Sequence, residues 1–464
     1  MRAIMAKSMT EGNPLKLILQ FALPLLAGNI FQQTYNIVDA AIVGRYLGTK
    51  ALAAIGASAS VQFLVMGFCI GICCGFGIPI AQRFGAKDYG NMRSCIFHAG
   101  FLVVIAAVVL TVTCSLLCPQ ILHLLSTPDD IYGDAYYYLL VLFLGIPFSL
   151  LYNLLSGILR AVGDSKTPFM FLVFSTILNI VLDLFCIIVL KWGCAGAAIA
   201  TITAQAVSGI LCLFYIWRHF PILKLSVGDC RIKGSMVQLL LVMGVPMGLQ
   251  YSITAIGSMV MQSANNGLGS VYVSGLTAGM RIKQFAMCPF DAIATAVSTF
   301  CSQNLGAAKF DRIKRGLREG IAAGVLYGIL AGVVLIFSGG ILSRLFISGK
   351  ETEVLAASAK YLRCLGFFYW SLGILNVCRM SVQGLGYSGR AIFSGMVEMV
   401  ARIVVSKAFV PIFGFTAICF ADQSAWVSAV IYIIPVCIFC VRKLSKQSEK
   451  SKAESMAVTS GEKD

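Results

Sequence analysis

Asp39 and Asp183 stand inside long apolar runs, where a charge costs at least ~2.5–3.5 kcal/mol on the gentlest insertion scale. Residues four apart share a helix face. Asp39 therefore brings Tyr35 and Gln32 onto one polar stripe, and Asp183 brings Asn179 in "STILNIVLDLF" (175–185). Two carboxylates in a dehydrated cleft cannot both ionise cheaply, so the pair is expected to take up a proton near neutral pH. Neighbouring hydroxyl and amide oxygens offer the alternative of a Na⁺ shell, because hard cations prefer oxygen ligands. The bland alternative is that each aspartate caps or pairs structurally, but an acid inside the membrane is a functional candidate by default.

Other polar residues read differently. Glu398 and Arg402 are four apart and are expected to form a structural ion pair. Asp291, just past Pro289, has Lys283 or Arg281 as candidate partners on its own span. Gln32, Asn153 and Gln250 are candidates to face a cleft and touch substrate, although buried amides also bond between helices. The 17 cysteines lie mostly in apolar runs such as "GFCIGICCGFG" (67–77), where a thiol acts as a small apolar residue. No paired-cysteine or Cys/His spacing points to a metal, no nucleophile–base constellation points to an enzyme, and no cofactor is expected.

These residues need long helices to position them. Of 464 residues 58% are hydrophobic and 12% charged, and the mean hydropathy is +0.85. That composition indicates an all-α polytopic membrane protein. Twelve spans are expected at 17–44, 52–80, 94–118, 134–159, 168–190, 194–217, 237–265, 271–301, 317–343, 358–384, 389–412 and 415–441. The first is too long for a signal peptide and carries Pro24 and Asp39 inside it. Lys and Arg concentrate in alternate loops, among them Arg83, Lys87 and Arg93, then Lys309, Arg312, Lys314, Arg315 and Arg318. By the positive-inside rule, both termini should be cytoplasmic in a cell membrane. The net charge of +16 is thus topological, with anionic lipid rather than nucleic acid as its partner.

The chain repeats itself. "FALPLLAGN" (21–29) echoes "VMGVPMGLQ" (242–250), aligning Pro24 with Pro246. "AQRFGAKDYGNMR" (81–93) echoes "SQNLGAAKFDRIKR" (302–315), and "LRAVGDS" (159–165) echoes "VQGLGYS" (382–388). A common offset of about 222 residues implies two parallel, pseudo-symmetric six-helix lobes with a cleft between or within them. The expected organisation is an N-terminal lobe 1–217, a cytoplasmic linker 218–236, a C-terminal lobe 237–442 and a disordered tail 443–464. At that offset Asp39 faces Met261, and Asp183 falls opposite Val404 to Ser406, so the second half lacks both acids.

With "VDAAIVGRYLG" (38–48), "AQRFGAKD", "SQNLGAAK", "LRAVGDSKTP" (159–168) and the duplication together, the chain resembles the multidrug and toxic compound extrusion (MATE) family over nearly its whole length. The resemblance implies a twelve-span secondary antiporter that exports organic, often cationic drugs or metabolites against inward H⁺ or Na⁺ flow. Tyr35, Asp39, Asn179, Asp183 and Thr201 match, residue by residue, the cation or proton site of the family's archaeal and DinF-like branch. Pro24 matches the point where that branch's first helix bends. A small organic substrate, membrane lipids and a monomeric state are the expected partners and assembly. The rival reading within the superfamily is a flippase for lipid-linked oligosaccharide or another amphiphile. It would need a strongly basic cleft, whereas the spans hold few basic residues and the first half holds acids.

Overall fold

A computed structural model describes residues 8–461 apart from 126 and 349. The first six helices are α1 (Pro14–Tyr46), α2 (Thr49–Gly85), α3 (Tyr89–Leu124), α4 (Asp129–Leu144), α5 (Ile146–Ala161) and α6 (Lys166–Leu184). There follow α7 (Gly193–His219), α8 (Gly234–Asn266), α9 (Ser270–Gly306), α10 (Phe310–Ser343), α11 (Thr352–Gly384), α12 (Ser388–Val404), α13 (Val410–Phe413) and α14 (Phe415–Gly461). No strand occurs among the described residues. In a bilayer every backbone group must be satisfied within the segment, and helices do this.

The twelve spans are all present, with local departures. The fourth is α4 and α5, bent by 46° at a break after Leu144. Gly145 forms the joint, where a Cβ would collide with Ile202, and Pro147 cannot continue the α4 hydrogen-bond ladder. The fifth and eleventh spans each finish in a π-helical turn, Phe185–Val189 and Val405–Phe409, so the irregularity was duplicated with the fold. The eleventh span also carries Arg390, Glu398, Arg402 and Lys407, which makes it the most polar of the set.

The tail departs from expectation as well. The backbone of 443–461 continues α14 as helix instead of forming a disordered tail. Lys, Glu and Ala are good helix formers, and extending an existing helix avoids the cost of nucleation. Residues 462–464 lie outside the described residues. The linker is short and clasped. Arg93 Nε donates to Asp229 Oδ2 at 2.8 Å, and the Lys233 backbone N–H donates to His98 Nε2 at 2.8 Å.

The turns at 86–88, 162–165, 307–309 and 385–387 gather at one end of the bundle. They too are duplicated: Lys87 and Ala308 both have positive φ (57° and 53°), as do Gly163 and Gly386 (86° and 92°). At this end the two halves are sealed. Gly71 and Gly75 of α2 lie against Gly248 and Gly244 of α8 so closely that an added Cβ would come within 2.7 and 2.5 Å of the facing Cα. Small residues let membrane helices approach in this way. Ile18, Phe21 and Ala22 of α1 pack with Ala292, Ile293, Ala296 and Val297 of α9.

Polar contacts complete the seal. Gln82 donates to the Gly384 carbonyl (3.0 Å) and Gln303 to the Ala161 carbonyl (2.8 Å). The segment before α1 is strapped down. Met9 is buried, its N–H donates to Gln303 Oε1 (2.8 Å), and Arg312 donates to the carbonyls of Gly12 (2.7 Å) and Met9 (3.2 Å). Towards the other end, Ser252 of α8 donates to the Leu64 carbonyl of α2 at 3.3 Å. Beyond it α1 leans on α4, α6 and α7, while α8 leans on α12, where Gly257 meets Met399 and Arg402. The molecule is therefore closed at the basic end and open at the other.

Candidate functional site

The upper part of α1 presents Asp39 and Tyr35 to α6 and α7. Val38, Ile42 and Val43 pack into a cluster with Tyr138, Leu142, Ile187, Ala197 and Ala198, which fixes the helix's rotation. Gly28, one face down, sits against Leu172 and Phe169 of α6. The polar stripe then faces Asp183, which is fully buried, and Asn179, which is buried beside it.

The carboxyl groups of Asp39 and Asp183 lie within hydrogen-bonding reach of each other. Asn179 Nδ2 donates to Asp183 Oδ2 at 3.2 Å. The Tyr35 hydroxyl is 3.5 Å from Thr201 Oγ1, which donates to the Ala197 carbonyl at 3.0 Å. One oxygen of each aspartate is buried with no hydrogen-bond donor among the described residues. Two contacting carboxylates repel, and a proton held between them would supply a donor. A hard cation coordinated by the same oxygens would relieve the repulsion equally. All five residues matched through the family resemblance are thus brought into one cluster.

Sequence reasoning missed Tyr138. It is buried on α4 beside Tyr35, Asp39 and Asp183. The run "YYYLL" (136–140) gives no sign of which tyrosine points inward. The three candidates for substrate contact lie outside this cluster. Gln32 is exposed on α1. Asn153 donates to the Ser149 carbonyl of its own helix (2.8 Å), and Gln250 is buried against Gln383 Nε2 (2.5 Å) in the second half. Pro24 lies within α1, which runs through it without a break.

The second half holds a different constellation. Glu398 does meet Arg402 (3.5 Å), but it also receives Arg379 of α11. Arg402 Nε reaches Asp422 Oδ1 (3.1 Å), and Asp422 Oδ2 accepts from Lys283 Nζ (2.7 Å) and from the Tyr361 hydroxyl (2.8 Å). The expected local pair is one edge of a network linking α9, α11, α12 and α14. Asp291 therefore does not pair with Lys283; it is exposed and accepts from Asn376 (3.3 Å). Asp422 in "FADQSAW" was not singled out, because its partners come from other helices. Met261, opposite Asp39 in the duplication, is wholly buried in the apolar core. Where the first half has a lone acid pair, the second half has charges that largely neutralise one another.

Among solved structures, a MATE in complex with MaL6 superposes with a TM-score of 0.89 at 21% identity, covering 94% of this chain and 98% of that one. The likeness establishes the fold. Among sequence relatives, the probable multidrug resistance protein YpnP of Bacillus subtilis (strain 168) is 34% identical over 82% of this chain and 85% of that protein. YoeA of the same organism, likewise described as a probable multidrug resistance protein, is 30% identical over 84% and 85%. The MatE family model matches twice, at residues 24–185 and 246–407, one match in each half of the duplication. Twelve spans in two repeated halves, these matches and these relatives make the chain a member of the MatE family, a multi-pass membrane transporter and not an enzyme.

Proposed function

We propose that the protein is a secondary antiporter that exports organic, often cationic drugs or metabolites from the cytoplasm. Inward flow of H⁺ or Na⁺ through the Asp39–Asp183 site drives it. The observation that carries this reading is the contact between two carboxyl groups in the wall of a cleft that is open at one end. Relatives described as multidrug resistance or multidrug export proteins support the substrate class. The basic closed end and both termini face the cytoplasm on the positive-inside argument, which puts the open end outside the cell membrane. The working unit is a monomer in contact with lipid.

In this reading the outward-open cleft admits the coupling ion first. A proton shared by Asp39 and Asp183 removes their repulsion. A Na⁺ held by the two carboxylates, the Asn179 amide oxygen and the Tyr35 and Thr201 hydroxyls does the same. Asp39 and Pro24 share α1, so relaxing the pair permits α1 to bend at Pro24 and change the shape of the first lobe. Substrate and ion then compete for one flexible wall. The test is efflux of a fluorescent cationic dye from cells that express the protein, with pH and Na⁺ gradients imposed separately. Efflux driven by one gradient alone identifies the ion. Efflux that ignores both gradients overturns the proposal.

A further inference from the structure

A second site faces the lipid. The last two turns of α10 and the first three of α11 enclose a cavity of about 470 Å³ at the open end of the bundle, lined by Ile336, Phe337, Gly340, Ile341 and Arg344 on one side. Leu355, Ala356, Ala359 and Arg363 line the other. The trough exists because Gly340, Ala356 and Ala359 have almost no side chain: a Cβ on Gly340 would only reach ordinary contact, 3.8 Å, with Ala359. Its outer lip is apolar and unpacked, with Phe337 80% and Ile341 69% exposed. On a chain that spans a bilayer, such a surface is covered by acyl chains.

The trough also holds two positive charges. Arg344 caps α10 and Arg363 lies on α11. Neither guanidinium has an ion-pair or hydrogen-bond partner among the described residues. Glu351 and Glu353, at the start of α11, are not paired with them. Deeper in the second half, the buried cations Arg379, Arg402 and Lys283 are matched to acids. Guanidinium groups suit phosphate oxygens, which they bind in a planar fork.

We infer that the α10–α11 trough is a binding site for one anionic phospholipid in the leaflet at the open end, with its phosphate between Arg344 and Arg363 and an acyl chain along Phe337 and Ile341. Two cations beside a phosphate and a groove for hydrocarbon are complementary to an amphiphile, and neither part alone would select one. The site lies wholly within the second half, on α10 and α11, and shares no residue with the Asp39–Asp183 cluster of the first half.

Native mass spectrometry of the purified full-length protein, after loading with phosphatidylglycerol or phosphatidylcholine, tests this. The wild type should retain one phosphatidylglycerol through delipidation. R344Q/R363Q should bind it about tenfold or more weakly, on the scale of charge attraction near a membrane surface. R218Q/R231Q, which removes two exposed cations at the other end, should leave retention unchanged. Gly340→Leu, which fills the trough and keeps both arginines, should also lose the lipid. Equal retention of phosphatidylcholine, retention by R344Q/R363Q, or displacement by millimolar glycerol phosphate alone would each overturn the inference.

Discussion

Gly85 and Gly306 cross back to back at the closed end. A Cβ on Gly85 would strike the carbonyl oxygen of Gln303, and a Cβ on Gly306 would strike that of Gln82. The two positions are equivalent in the duplication, so one sequence feature, used twice, forms both sides of the seal. Beside it, Gln82 and Gln303 bond across to Gly384 and Ala161.

Alanine at Gly85 or Gly306 should therefore force the closed end apart. Overpacking costs ~1–3 kcal/mol, which would shift a two-state balance by roughly 5- to 150-fold. Distances between spin labels on the 86–88 and 307–309 turns should lengthen, and efflux should fall while membrane insertion is retained. Unchanged distances with normal efflux would show that the contact does not gate the cleft.

The coupling site predicts an asymmetry between halves. Asp39→Asn and Asp183→Asn should each abolish gradient-driven efflux and its pH or Na⁺ dependence, because an amide neither takes the proton nor contributes a charge to a cation shell. Insertion should be preserved, since an amide is cheaper in the membrane than a carboxylate. Glu398→Gln should instead lower stability by leaving Arg379 and Arg402 short of a counter-charge. Efflux normalised to folded protein separates the three. A dead but well-folded Glu398→Gln beside a coupled Asp39→Asn would assign coupling to the wrong half.

The sequence was legible where one residue type has one physical use. Apolar runs of span length set the helices, and the echo of Pro24 in Pro246 exposed the two halves. Asp39 and Asp183 stood out because little else is charged around them. Spacing along one helix could not reveal what depends on contacts between helices. The Glu398–Arg402 pair was visible as a spacing of four, but the bonds of Glu398 to Arg379 and of Arg402 to Asp422 were not. Tyr138 was lost among three consecutive tyrosines, and the Gly145 break was hidden within a stretch apolar enough to span.

The buried network makes its own prediction. Asp422→Asn removes the counter-charge of Lys283 and Arg402 together, and breaking a buried pair in this way costs ~3–5 kcal/mol. The variant should melt well below the wild type in detergent or fail to accumulate. Tyr361→Phe, which removes only one hydrogen bond to the same carboxylate, should cost about 1–3 kcal/mol. Equal melting of all three proteins would mean that the network contributes nothing to the fold.

The linker clasp has a defined pH range. Hydrogen bonds from the Ser226 hydroxyl and backbone N–H, with the Arg93 guanidinium, hold Asp229 down at about 2. A carboxylate lowered in the folded state contributes stability above its unfolded value, near ~3.9, and that stability is lost as pH falls through about 2. Amide exchange in residues 226–233, corrected for intrinsic rates, should thus show constant protection from pH 7 to pH 5. Asp229→Asn should lose that protection across the same range. Protection that fades between pH 7 and 5 in the wild type would place the clasp on another group.

The strap before α1 should hold the closed state. Arg312 donates three hydrogen bonds, to Asn304 Oδ1 (3.0 Å) and to the Gly12 and Met9 carbonyls, and Asn304 Nδ2 adds a fourth to Met9 (3.2 Å). Hydrogen bonds to a charged group contribute ~1.5–3 kcal/mol each at most, and part of that returns when water replaces the partner. Arg312→Ala should release Met9 from its apolar pocket among Ile18, Phe21, Ile313 and Leu385 and make the closed end easier to open. Labels reporting across that end should lengthen in the same direction as with Gly85→Ala. The effect should be smaller, because the helix crossing at Gly85 and Gly306 is untouched. Combining Arg312→Ala with Gly85→Ala should then add little, since both open one seal. Full additivity in the label distances would mean that strap and crossing act on separate motions.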